Sequence, residues 1–139
     1  MTGASEMKLL NYKVIKTTFE LNDVFEFKTG KIDIQPSFNR NIVKIDDQHY
    51  KITLGIKISK EINKGPIPFD AEVVISSVFE LPNWESEAAN SIAVNNATAI
   101  MFPYLRTLMA TVTMNGNVPP YMLPIMNISK LFNWYLSKF

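Results

Sequence analysis

The sequence predicts an α+β domain with its strands first and its helices last. Two runs alternate apolar and polar residues at period two, Tyr50 to Ser59 and Phe69 to Glu80. From Ile100 onward the apolar period becomes that of a helix. The extended segments are separated by short, turn-rich connections with no helical pattern, which favours antiparallel pairing.

The elements follow in order. Residues 1–10 read as a loose arm, and 11–139 as a single domain. Asn11 to Phe27 is rich in β-branched and aromatic residues and reads as extended, with a break near Asn22-Asp23. Thr29-Gly30 marks a turn. A second extended piece covers about Lys31 to Ile45, where Pro36 demands an edge, a bulge or a strand start, because it has no N–H to give a ladder. Asp46-Asp47-Gln48 forms a turn before the clear strand at Tyr50. Asn63-Lys64-Gly65-Pro66 breaks the pattern before the strand from Phe69, which carries Asp70 and Glu72 on its polar face.

Glu85 to Asn96 reads as partly helical. Ile100, Met101, Tyr104, Leu105, Leu108, Met109 and Val112 then mark one helical face, with Pro103 expected in a first turn, where its missing N–H costs nothing. Asn115-Gly116 closes this helix with a residue able to take the left-handed conformation. Pro119, Pro120 and Pro124 hold a connector extended. Asn127 caps a last helix, whose stripe is Ile128, Leu131, Phe132, Tyr135, Leu136 and Phe139.

Composition narrows the function. Fourteen Lys and Arg against thirteen Asp and Glu leave no electrostatic footprint for nucleic acid. With no cysteine, disulfide and thiolate chemistry are excluded. Charged residues are 19% against 47% hydrophobic, which points to an oligomer or to apolar area kept for binding. No signal peptide and no membrane span is read, so the expected location is the cytoplasm.

Groups for covalent chemistry are scarce. The one histidine, His49, lies in a turn-like Asp-Asp-Gln-His and reads as solvated; it would need carboxylates close in space to build a metal site. There is no Gly-x-Ser-x-Gly elbow and no phosphate-cradling glycine loop. An enzyme is not expected, and neither cofactor nor metal is. Five of seven methionines, Met101, Met109, Met114, Met122 and Met126, cluster in the last third. They suit either core and subunit interface or an adaptable surface for varied apolar segments.

Phe102-Pro103-Tyr104-Leu105-Arg106, Gly116-Asn117-Val118-Pro119, Asn127 to Phe132 and Tyr135-Leu136 form an ordered set of short motifs. With Val24-Phe25-Glu26, Gln35-Pro36 and Phe69 to Val73 upstream, the chain resembles the SecB family of export chaperones over about residues 12–136. The resemblance implies a four-stranded antiparallel sheet with a long helix and a C-terminal helix packed on one side. It implies a tetramer, a dimer of dimers, joined through the helix at about 100–115 by Met101, Leu105, Leu108, Met109 and Val112. Its expected function is ATP-independent holding of unfolded polypeptides in apolar grooves and delivery to the motor SecA.

Carried onto this chain, the groove residues are Phe19, Ile34 and Phe69, and the SecA-docking carboxylates are Glu26 and Glu72. Asn22 stands where the family favours an acid, and Asp70 where it favours an apolar residue. A chaperone of a toxin–antitoxin system and a small apolar-ligand carrier remain alternatives.

Overall fold

The structure, a computed structural model, describes residues 7–22, 34–63, 67–80, 87–116, 118 and 121–123, with Ile62 and residues 87–92 described by backbone alone. The strands are β1 (Lys8–Leu21), β2 (Ser37–Lys44), β3 (His49–Ile58) and β4 (Phe69–Glu80). The helices are the short α1 (Lys60–Asn63) and the long α2 (Glu87–Asn115). Strand order is β1-β4-β3-β2, antiparallel throughout.

Local alternation sets the faces of β3 and β4. Tyr50, Ile52, Leu54, Ile56 and Ile58 are buried, as are Phe69, Ala71, Val73, Ile75 and Phe79. Against this face α2 lays Ala93, Val94, Ala97, Met101, Leu105 and Met109. Fully burying each large aliphatic side chain stabilises the fold by about 1.5–3 kcal/mol, so this layer pair supplies the main driving force. Two polar bridges fix its register. Arg40 on β2 donates to Asn95 Oδ1 (3.1 Å) and Thr98 Oγ1 (3.0 Å) on α2. Burial, which disfavours the charged guanidinium, lowers its pKa to about 10.

The edges differ. β2 begins directly after Pro36 and pairs without irregularity, so the proline sits at a strand start on an edge strand. β1 begins at Lys8, inside the stretch expected to be an arm, and Met7 packs on the core with its sulfur accepting from Tyr50 Oη at 3.2 Å. β1 shifts register twice against β4, leaving Leu10 and Ile15 as bulged residues. Such bulges twist an edge away from indiscriminate pairing.

Three helical expectations change. The partly helical segment and the later apolar stripe are one helix of 29 residues. Pro103 therefore sits deep inside it rather than in a first turn. The bond lost is the one to the Ala99 carbonyl, and both residues are on the exposed side, where water can replace it. At the C-terminus Gly116 N donates to the carbonyls of Val112 (3.3 Å) and Thr113 (3.1 Å), but its φ lies outside the left-handed range. The expected last helix from Asn127 lies outside the described residues.

Candidate functional site

The site grows from the end of β1. Phe19 pairs in register with Ala71 and Leu21 with Phe69, so Phe19 and Phe69 share the face that looks toward α2. Their rings stack at 5.6 Å. Phe69 is buried, whereas Phe19 is half-buried. Tyr121, just after the helix, meets the edge of Phe69 at 6.5 Å and directs its hydroxyl to the Ile34 carbonyl at 3.5 Å. Tyr121 thus connects the three expected residues, its ring against Phe69, which stacks on Phe19, and its hydroxyl on the backbone carbonyl of Ile34.

Phe19 lies directly over Gly116. A Cβ at position 116 would overlap its ring and force it to shift, so glycine is favoured by close approach rather than by a left-handed turn. Beyond the ring opens a cavity of about 310 Å³ lined by Thr17, Thr18, Phe19, Val112, Asn115 and Gly116. A smaller cavity of about 140 Å³ lies on the outer face of the sheet, with Glu20, Lys57, Asp70 and Glu72 in its lining. Thr113 anchors the connector by accepting from Tyr121 N at 2.8 Å. Tyr121 and the steric role of Gly116 carry no local sequence signal, because both depend on the approach of β1 to the end of α2.

Polar groups fix the end of the sheet. Asn22 is buried; its amide donates to the Ile67 carbonyl and to Asp70 Oδ1, each at 2.9 Å. Glu72, on the outer face of β4, pairs with Lys16 Nζ at 2.7 Å and faces Lys57 in register. Its expected partner carboxylate, Glu26, lies outside the described residues.

The residues expected to form the interface on α2 divide by burial within the chain, with Leu108 and Val112 half-buried. Met101, Leu105 and Met109 are at most 1% exposed, buried against the sheet of their own chain. Leu108 and Val112 also pack on that core. Among the described residues, the large apolar side chains that α2 leaves exposed are Ile100, Tyr104 and Met114. The Tyr104 ring meets that of Tyr12 of β1 at 4.9 Å, tilted by 35°, next to the exposed Val14. A helical period shows which face is apolar, but not whether sheet or second copy covers it.

His49 is not simply solvated. Its Nδ1 lies 2.8 Å from Asp46 Oδ1 and its Nε2 3.3 Å from Glu80 Oε1. Its hydrogen bond to the Asp46 carboxylate, joined by the charges of Asp46 and Glu80, raises its pKa above the ordinary histidine value. The Gln48 backbone N–H and then the His49 ring hold the Asp46 carboxyl below its usual range. The two carboxylates sit on opposite ring nitrogens and do not converge. Among the described residues no group of three His, Cys, Asp or Glu side chains is placed to hold a metal. Nor is any described helix long and apolar enough to cross a membrane.

A sheet of this order backed by one long helix is the SecB-like chaperone fold. It superposes on the Mycobacterium tuberculosis SecB-like chaperone, solved in complex with a ChAD peptide from the HigA1 antitoxin, with a TM-score of 0.66 at 13% identity, over 86% of this chain and 90% of that one. A Streptococcus agalactiae protein of unknown function shares the fold more distantly (TM-score 0.52, 14% identity, 86% and 97% covered).

The sequence goes further than the fold. The family model described as preprotein translocase subunit SecB matches residues 17–138, and the chain belongs to the SecB family. It is 35% identical to an uncharacterized protein of Methanocaldococcus jannaschii over 88% of this chain and 80% of that one. It is 25% identical to the protein-export protein SecB of Saccharophagus degradans over 74% of this chain and 61% of that protein. Membership supports a chaperone role, since the family's members are chaperones rather than enzymes.

Proposed function

We propose that this protein is an ATP-independent holdase that binds unfolded polypeptide at the apolar groove around Phe19. The observation that carries this is the ring of Phe19, backed by Phe69 and Tyr121 and open to the cavity of about 310 Å³ beside the end of α2. Burying apolar client surface there yields about 25 cal/mol per Å² without directional demands, so many sequences can bind. The protein would act in the cytoplasm as a homo-oligomer, a dimer of dimers. The surface suited to self-association is the exposed Tyr12, Val14, Ile100 and Tyr104, with the half-buried Leu108 and Val112 of the expected stripe beside them on α2. The test is to titrate the protein into a slow-folding unfolded chain. Aggregation should fall as the ratio rises; unchanged aggregation at excess would sink this reading.

Delivery to SecA is the expected next step, by analogy with relatives named for protein export, with Glu72 as a docking carboxylate. A second reading is a chaperone guarding an antitoxin. It is favoured by the antitoxin peptide bound to the M. tuberculosis protein and by the pairing of Glu72 with Lys16, which partly neutralises the docking charge. A purified antitoxin tail and purified SecA, offered separately, would discriminate the two.

A further inference from the structure

We propose that Asn115 is a site of spontaneous deamidation, and that its acidic product damages the groove beside Phe19. Asn115-Gly116 is the one Asn-Gly pair in the sequence. Glycine leaves the attacking backbone nitrogen unhindered, which makes this pair the most prone to imide closure. A change away from glycine carries a steric cost here, because a Cβ at position 116 would overlap the Phe19 ring and push it aside. The labile pair is therefore favoured by the geometry of the groove.

Asn115 is exposed and is the last residue of α2. The Gly116 N–H is shared between two carbonyls of the final turn, 3.3 Å to Val112 and 3.1 Å to Thr113. Helix ends open at low cost relative to global unfolding. On opening, Gly116 N attacks the Asn115 side-chain carbonyl carbon, and the new N–C bond closes a five-membered imide. The nitrogen's proton and the side-chain amide leave as ammonia. Water then adds to one of the two imide carbonyls, giving aspartate or isoaspartate at position 115.

Either product places a carboxylate at the C-terminal end of a helix that has no basic residue in its last turn. That is the end where negative charge is disfavoured. The same position lines the cavity of about 310 Å³ with Phe19 and Val112, so an apolar occupant would meet a new charge. Isoaspartate also inserts a methylene into the backbone under the Phe19 ring. The chemistry stands on the dipeptide and its setting; the consequence for clients rests on the holdase reading.

The full-length protein should be incubated at mildly alkaline pH and mapped by mass spectrometry, beside the Asn115→Gln variant. Position 115 should convert severalfold faster than any other asparagine of the chain. The separated converted protein should bind an unfolded client roughly threefold or more weakly, because an apolar segment would have to cover a new carboxylate in the lining. Conversion no faster than at the other asparagines overturns the site. Conversion with unchanged client binding overturns its consequence. If fresh protein binds no client, the holdase reading fails, while the mass change still decides the chemistry.

Discussion

The side-chain amide of Asn22 donates to the carboxylate of Asp70 across 2.9 Å, joining two positions where the resemblance led us to expect an acid and an apolar residue. The departures are one arrangement. An acid at position 22 would face a second carboxylate, and an apolar residue at position 70 would leave the amide short of an acceptor.

Asn22→Asp should therefore destabilise the fold by about 1–3 kcal/mol, through lost donors and like-charge contact in a buried position. Adding Asp70→Asn should recover most of this. The two single variants and the double variant, compared by urea denaturation, give the coupling directly; additive losses would mean the residues act independently.

Gly116→Ala should cost about 1–3 kcal/mol, because the added methyl forces the Phe19 ring aside. In a Phe19→Ala background the same change should cost much less. Equal costs in both backgrounds would show that the close approach of ring and helix end is not what favours glycine.

Leu105→Ala should destabilise by about 2–5 kcal/mol, as expected for a buried leucine. Tyr104→Glu should leave the secondary structure intact and reduce the mass seen by light scattering. Unchanged mass for Tyr104→Glu would remove the Tyr12 and Tyr104 surface from the assembly.

His49 sets a pH dependence whose sign follows from its partners. Its folded pKa lies above the ordinary value of 6.5, so its contribution is fully present below that pH and is lost as pH rises through the folded value. Stability of the wild type should thus decline from mildly acidic to mildly alkaline pH, and His49→Gln should flatten that decline. Parallel curves for both proteins would exclude His49 as the cause.

Glu72→Lys should weaken binding to SecA while sparing client binding, because the Phe19 groove looks toward α2 and Glu72 lies on the outer face of the sheet. As an exposed pair, Lys16 and Glu72 should contribute at most about 1 kcal/mol to folding. Equal SecA affinity in both proteins would place docking elsewhere.

Much of the architecture was legible in the chain. Strands β3 and β4 follow from strict alternation, since adjacent side chains in a strand point to opposite faces and only one face here is apolar. The groove was legible only in part. Phe19, Ile34 and Phe69 entered through motif order, whereas Tyr121 joins them through packing between segments far apart in sequence.

The sequence by itself determined which residues alternate, which stripe of the long helix is apolar, and to which family the pattern belongs. These depend on backbone periods and short spacings, which are local. Only the tertiary structure decided that β1 lies beside β4 rather than β2. It also decided that Leu105 belongs to the core, that Gly116 exists to receive Phe19, and that Asn22 answers Asp70. The physical reason is the same in each case: a local period fixes the direction in which a side chain points, and only the closed fold supplies what it meets there.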